Sequence, residues 1–265
     1  DGTGHDRATN GLDDDHNGYV DDAWGWNWLT NAGVPHTNTD TKDHGTHVAG
    51  IIGADGTNGT GTTGVAWSVP MMDLHIINNS GTAMLDHLLS AMDYAGQQGA
   101  RVVNASLGGS GESTDLRAIY KSVVDQYPNT LYVFAAGNAS ADLDQQLGLM
   151  LPCETSAVAT NVLCVAATSQ GDGLASYSNY GSAVTIAAPG SSIWSTVLNS
   201  GYGYLSGTSM AAPQVSGAAA LLMQQRPNLT GAQARAIIQA SARPVAGLAP
   251  AFPGGGMLDA ASMLG

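Results

Sequence analysis

The chain has 265 residues, of which 43% are hydrophobic and only 11% are charged, with a formal net charge of −13 at pH 7. This acidity excludes a protein that binds the phosphate backbone of nucleic acid, because such binding needs a surplus of Lys and Arg. No apolar run approaches the roughly eighteen residues that predict a membrane span, and the length and apolar content predict a single globular domain, residues 1–265.

Strand-like and helix-like apolar patterns alternate along the chain. The predicted strands are 23–29, 71–77, 102–105, 131–135, 162–166 and 184–187. The predicted helices are a compact one from His44 and longer ones at 83–98, 114–127, 208–225, 231–240 and 259–264. This alternation predicts an α/β fold with a mostly parallel sheet and helices on both of its faces, which places ligands at strand ends and helix starts.

The first motif in chain order is the acidic segment 13–22. Its oxygen ligands at positions one, three and five, the Gly at six and the carbonyl at seven match the first half of an EF-hand-type calcium loop. The second half departs from that loop, because position twelve is Trp24 rather than Glu. We expect a structural Ca²⁺; the alternative is a solvated acidic turn. The predicted ligands are Asp13, Asp15, Asn17, Tyr19, Asp21 and Asp22.

The segment Gly207-Thr208-Ser209-Met210-Ala211-Ala212-Pro213 presents a serine hydroxyl at the start of an apolar helix. Such a hydroxyl becomes nucleophilic only when a base takes its proton. The last histidine of the chain is His87, so a partnership with Ser209 must have the order histidine first and serine last. This order disfavours an α/β-hydrolase esterase, in which the serine comes first.

The upstream partner is His44 in Asp43-His44-Gly45-Thr46-His47-Val48-Ala49-Gly50. A metal site formed by His44 and His47 is disfavoured, because H-E-x-x-H needs a Glu where this chain has Gly45-Thr46. Between the histidine and serine motifs lie Asn104-Ala105-Ser106-Leu107-Gly108-Gly109 and Ala135-Ala136-Gly137-Asn138, each after a strand pattern. These four motifs in this order resemble the subtilisin-like serine proteases, the subtilase or peptidase S8 family, over nearly the whole chain.

The resemblance implies a three-layer, doubly wound subtilisin-like fold and a serine endopeptidase that works through an acyl-enzyme. It implies that Ser209 is the nucleophile, His44 the general base and then acid, and Asn138 the side-chain donor to the oxyanion. An extended protein or peptide substrate would add as a strand beside the segment after 102–105. The implied substrate-binding residues are Ser106, Leu107, Gly108, Gly109, Ala135, Ala136 and Gly137.

The family's third catalytic residue is an Asp at the end of an apolar strand that precedes the histidine. No Asp in residues 1–43 follows such a strand. We therefore expect the first central strand of the sheet and its Asp to lie upstream of residue 1. Without that strand we expect the chain alone to fold poorly and to be weakly active or inactive, because a central parallel strand is bonded on both sides. A non-catalytic peptide-binding or structural protein is the alternative function.

The resemblance also implies a secreted enzyme that folds with an N-terminal prodomain. In an oxidising compartment, Cys153 and Cys164 would form a disulfide that closes a loop of about a dozen residues. The alternative is a pair of buried free thiols. Cysteine nucleophile chemistry is disfavoured, since neither cysteine lies beside a histidine motif.

Overall fold

The computed structural model describes residues 8–33, 43–110, 114–145 and 148–265. These residues form two compact units. The smaller unit draws on the described residues of Asp1–Asp43 and on Pro70–Ala91, and the larger comprises His44–Val69 and Met92–Gly265. The single domain predicted from the sequence stays a prediction.

The smaller unit contains a three-stranded sheet. Strand β1 (Gly25–Asn27) pairs antiparallel with β2 (Ala32–Gly33) and parallel with β3 (Asp73–His75). Gly25 has a φ of 128°, and a Cβ there would overlap the carbonyl oxygen of Asp73, so only glycine allows this pairing. The two strands predicted here are present, but they are shorter than the apolar patterns that predicted them.

The larger unit is built on a six-stranded sheet. In spatial order its strands are β10 (Arg243–Pro244), β11 (Gly256–Met257), β7 (Ile186–Pro189), β6 (Val162–Thr168), β5 (Leu131–Ala135) and β4 (Val102–Ala105). Strands β4 to β7 and β11 are parallel, and β10 joins antiparallel at one end.

Six helices are present in the described residues, and each was predicted. They are α1 (His44–Gly53), α2 (Leu85–Gln97), α3 (Thr114–Gln126), α4 (Thr208–Gln225), α5 (Gly231–Ala240) and α6 (Ala260–Leu264). Alternate residues of β5 face helices on opposite sides of the sheet. Leu131 and Val133 pack in the core with α4, whereas the Tyr132 hydroxyl donates to the carbonyl oxygen of Met92 in α2 at 3.4 Å. The predicted mostly parallel sheet with helices on both faces is confirmed.

Helix α4 passes through the centre of the larger unit, in contact with β4, β5, β6 and β7. Small residues allow α4 to pack this closely. A Cβ at Gly217 would lie only 2.7 Å from the Cβ of Val65. Ala211, Ala212, Ala218 and Ala219 are fully buried on the same helix. Because the helix is packed along most of its length, its first turn has a fixed position.

Several elements were missed by the sequence patterns: the strands β2, β10 and β11, the short 3₁₀ helix Cys153–Ala157, and the hairpin of β8 (Ile193–Val197) and β9 (Gly201–Leu205). The hairpin docks on α1 through polar contacts. The ring nitrogen Nε2 of His47 donates to the carbonyl oxygens of Ile193 at 3.0 Å and Gly203 at 3.1 Å. His47 is therefore a buried residue that joins α1 to the hairpin.

A disulfide joins Cys153 to Cys164, with their Cα atoms 4.9 Å apart. It links the 3₁₀ helix to β6, so the alternative of free thiols is excluded. In the part of the chain that is described, no helix is both long and apolar enough to cross a lipid bilayer.

The contact between α1 and the hairpin generates a stability prediction. A Cβ at Gly50 would overlap the hydroxyl oxygens of Ser195 and Thr196, which donate to the carbonyl oxygens of His47 and Thr46, each at 2.8 Å. We expect Gly50→Ala to lower the free energy of unfolding by about 1–3 kcal/mol, the usual cost of overpacking.

The matched control is Gly45→Ala, in the same helix, where an added Cβ meets no atom within 4 Å. That variant is expected to keep or raise stability, by up to about 1 kcal/mol from helix propensity. Denaturant unfolding followed by tryptophan fluorescence measures both. Equal stability of the two variants would show that the hairpin contact does not constrain α1.

Candidate active site

Ser209 lies in the first turn of α4, and a second serine fixes its main chain. Pro213 has no N–H to donate to the carbonyl oxygen of Ser209, four residues earlier in the helix. That oxygen instead accepts a hydrogen bond from the Ser106 hydroxyl at 2.9 Å. In return, the Ser209 hydroxyl donates to the carbonyl oxygen of Ser106 at 3.1 Å. The residue predicted to be the nucleophile is therefore held against the end of β4.

Asn138 lies beyond the end of β5, and Thr208 fixes its side-chain amide. The Oδ1 atom of Asn138 accepts from the backbone N–H of Thr208 at 2.8 Å and from its hydroxyl at 3.1 Å. The Thr208 hydroxyl also accepts from the N–H of Gly137 at 3.0 Å. Since Oδ1 is occupied, the group left for a ligand is the amide NH2 group at Nδ2, which is a hydrogen-bond donor.

His44 is the first residue of α1. This helix packs against α4 where Val48 and Ile51 contact Met210. No hydrogen bond joins the His44 ring to Ser209 in the described structure. Burial, and next the nearby His47, lower the pKa of His44 below its ordinary value of 6.5. No carboxylate of the described residues contributes to that shift, and so the structure does not identify the orienting acid.

A cleft of about 470 Å³ opens between the segment after β4 and the segment after β5. Ser209, Asn138 and five of the seven predicted substrate-binding residues line it: Leu107, Gly108, Gly109, Ala135 and Gly137. The other two do not line it: Ser106 is buried against Ser209, and Ala136 is fully buried. The geometry thus brings the predicted nucleophile Ser209 and the predicted oxyanion donor Asn138 to one opening.

Met150 is a cleft residue that sequence reasoning missed. A Cβ at Gly108 or at Gly137 would come within about 3 Å of its thioether, so its side chain occupies part of the space that these glycines leave open. Its main chain is fixed by Glu154, which is 2% exposed and accepts from the N–H groups of Gly148 and Met150, each at 2.7 Å. No sequence pattern signals this, because the contact depends on how the segment before Pro152 folds.

Gly109 is already paired. It exchanges two backbone hydrogen bonds of 3.0 Å with Leu151, forming an antiparallel bridge. A substrate strand that adds at this segment must therefore use the backbone edge that does not face Leu151.

The predicted metal ligands lie in the smaller unit and bind one another. The Nδ2 atom of Asn17 donates to carboxylate oxygens of Asp15 at 3.1 Å and Asp22 at 2.7 Å. Both Asp13 oxygens accept backbone N–H groups, from Asn17 and Gly18, and Asp21 accepts the N–H of Gly11 at 2.8 Å. Across the described ranges, no three His, Cys, Asp or Glu side chains are arranged as a metal site. Tyr19 donates its backbone N–H to the Oδ1 atom of Asn17, and its ring packs on Trp26 and Trp28.

Comparisons with known proteins agree with this geometry. The family model described as the subtilase family matches residues 3–256. Subtilisin DY of Bacillus licheniformis is 37% identical over 199 residues, which cover 75% of this chain and 69% of that protein. Thermitase of Thermoactinomyces vulgaris is 36% identical over 223 residues, 84% of this chain and 74% of that protein.

A crystal structure of a cold-adapted subtilisin-like serine proteinase superposes with a TM-score of 0.72 at 31% identity, covering 89% of this chain and 78% of that one. The family model spans nearly the whole chain, and the superposition covers most of it. The chain belongs to the subtilase family.

Proposed function

We propose that this chain is the catalytic part of a serine endopeptidase that cleaves proteins bound in an extended conformation. The observation that carries the proposal is the shared cleft of Ser209 and Asn138, in which Thr208 turns the amine of Asn138 outward. Membership of the subtilase family supports it, as does the likeness to a cold-adapted subtilisin-like serine proteinase.

In this proposal the Ser209 hydroxyl attacks the substrate carbonyl while His44 takes its proton. The new oxyanion accepts hydrogen bonds from the Asn138 amine and from the N–H of Ser209, which lies in the first helical turn where N–H groups lack intrahelical partners. His44 then gives its proton to the leaving amine, and water hydrolyses the acyl-enzyme by the same steps. Loss of one oxyanion donor costs about 10²–10³-fold in kcat, a magnitude measured in a subtilisin.

Before attack, the Ser209 hydroxyl must leave the carbonyl oxygen of Ser106, to which it donates at 3.1 Å, and turn to His44. This requirement favours a second candidate function, a non-catalytic peptide-binding protein with the same cleft. The two candidates differ in whether Ser209 can be acylated, so a covalent probe separates them.

We further infer that the protein is secreted and folds with a prodomain. The disulfide Cys153–Cys164 supports an oxidising compartment, because structural disulfides persist there and are rare in the cytosol.

Met150 supports a proposal about substrate preference. Because its thioether lies against both Gly108 and Gly137, a large side chain on the acyl side of the cleaved bond would have to displace it. We therefore propose that the cleft prefers small side chains at that position.

The acidic loop supports a structural calcium ion. Asp15, Asn17 and Asp22 meet at one point, and Gly18, with a φ of 94°, makes the turn that a sixth-position glycine makes in calcium loops. Their oxygen donors suit a hard cation, with the Asn17 amide turned to present its oxygen. Calcium would be held there by Asp13, Asp15, Asn17, Asp21 or Asp22, and the carbonyl of Tyr19.

The first prediction from the proposed function concerns the nucleophile. In the protein expressed from its full reading frame, a fluorophosphonate probe should label Ser209, because the phosphonyl centre resembles the tetrahedral intermediate. Ser209→Ala should abolish labelling, and Ser262→Ala, a serine in the first turn of α6, should leave it unchanged. The labelling rate should fall as the pH is lowered, because protonation of His44 removes the general base.

Labelling is measured by mass spectrometry of the modified peptide across pH. Absence of Ser209 labelling in a protein shown to be folded by circular dichroism would reject the endopeptidase and leave the peptide-binding protein.

The second prediction concerns Met150. Met150→Ala should raise kcat/KM for a peptide with Phe before the cleaved bond, relative to one with Ala there, by about 10-fold or more, the range for added volume in an apolar pocket. Met84→Ala, in which the lost side chain is 59% exposed, is the control and should leave the ratio unchanged. An unchanged ratio in Met150→Ala would mean that Met150 does not limit the pocket.

The third prediction concerns calcium. Calcium should raise the unfolding temperature relative to EGTA, since a ligand that binds only the folded state stabilises it. Terbium should give luminescence sensitised by Tyr19 and Trp26, whose rings are 4.8 Å apart. Asp15→Asn should weaken both effects, whereas Asp14→Asn, a matched change outside the predicted ligands, should keep them. Equal behaviour of the two variants would identify the loop as a solvated acidic turn.

A further inference from the structure

Asn179 is a buried polar residue that the proposed mechanism does not use. It lies between β6 and β7 and is 2% exposed. Its Nδ2 atom donates to the carbonyl oxygen of Ala136 at 2.8 Å. Its Oδ1 atom accepts from the N–H groups of Ala139 at 2.9 Å and Ala141 at 3.0 Å. One amide therefore binds the main chain on both sides of Asn138.

The backbone of Asn179 adds to the same arrangement, since its N–H donates to the carbonyl oxygen of Gly137 at 3.0 Å. The segment that it binds reverses direction after β5, with positive φ values at Gly137 (97°) and Ser140 (54°). A chain that turns in this way cannot satisfy its own N–H and C=O groups in a strand ladder. The Asn179 side chain supplies the partners that a neighbouring strand would have supplied.

The contact also explains why residue 137 is glycine. A Cβ at Gly137 would overlap the Nδ2 atom of Asn179 and would come within 2.9 Å of the sulfur of Met150. The backbone thus approaches Asn179 as closely as a residue without a side chain permits. Displacement of the amide would release the segment on both sides of Asn138.

Asn138 is therefore held twice. Thr208 holds its side chain through Oδ1, and Asn179 holds the main chain on which that side chain stands. Thr208 alone fixes a single atom, about which the residue could still pivot. With the main chain also fixed, the amide NH2 group of Asn138 is held in a single orientation.

We propose that Asn179 is a positioning residue that sets the oxyanion donor Asn138; this rests on the proposed endopeptidase function. Asn179 acts through main-chain groups and itself needs no contact with the reacting atoms. A displacement of about 1 Å in such a site can cost about 10²-fold in rate.

The test is the isosteric change Asn179→Asp. A carboxylate can still accept from Ala139 and Ala141, but its second oxygen faces the carbonyl oxygen of Ala136 and cannot donate to it. We expect kcat to fall by about 10- to 100-fold on a peptide substrate with little change in KM, because the loss concerns the transition state. Active-site titration with the fluorophosphonate probe corrects for unfolded protein.

Two comparisons make the role specific. In the Asn138→Ala background the same change should alter kcat by less than about 3-fold, since the donor that it positions is gone. The matched control is Asn161→Asp, at a site 3% exposed where Nδ2 donates to the carbonyl oxygens of Val124, Tyr127 and Thr130. It should lower stability without lowering kcat per titrated site.

An equal loss of kcat in both backgrounds, or a rise in KM alone, would overturn the proposal. A second measurement stands apart from activity: hydrogen exchange at the N–H groups of Ala139 and Ala141 should accelerate in Asn179→Ala and stay protected in Asn161→Ala. If Ser209 is unreactive and exchange nevertheless accelerates, the proposed function has failed while the anchoring of Asn138 stands. Unchanged exchange would mean that Asn179 does not fix this segment.

Discussion

The hydrogen bonds of Thr208 are the contact on which the geometry of the site depends. This one residue, fully buried, begins α4 and binds both the Asn138 side chain and the Gly137 backbone. The residue next to Thr208 is Ser209. The hydrogen bond joins Gly137 to Thr208, which lie 71 residues apart in sequence. Its loss would free the segment of Asn138 from the start of α4. The position of the site therefore follows from a polar contact, and its orientation follows from the packing of α4.

That packing explains why a serine can stand in a fixed direction at a helix start. Alanines of α4 pack in the core with the sheet, and Gly217 lets the helix approach Val65. Close packing resists rotation because interiors are as dense as molecular crystals. Pro213 then removes one helical hydrogen bond, and Ser106 takes the freed carbonyl oxygen of Ser209. A residue that would ordinarily weaken a helix interior here creates the acceptor that joins α4 to β4.

The sequence predicted the parts of the molecule that have long or local signals. The strands β4 and β5 and the helices α4 and α5 match their apolar patterns residue for residue. The hairpin β8–β9 gave no such signal, because its strands are only partly buried and its attachment to His47 is a tertiary contact. Met150 and Asn179 were missed for the same reason, because a methionine or an asparagine in a loop has no pattern. The Asn179 amide binds Ala136, 43 residues away, and Met150 lies against Gly108 and Gly137 of other segments.

The anchors of the site share a chemistry that bears on how it responds to its surroundings. Thr208 and Asn179 are neutral, and they bind backbone groups through hydroxyl and amide dipoles that neither pH nor salt alters. Glu154 also fixes part of the cleft and is a carboxylate, but it binds the main chain of Met150 rather than the donors to the oxyanion. A site oriented by neutral dipoles keeps its geometry while a nearby group titrates. The pH response of the cleft is therefore expected to arise from His44, whose pKa is lowered by burial, rather than from movement of the loops around it.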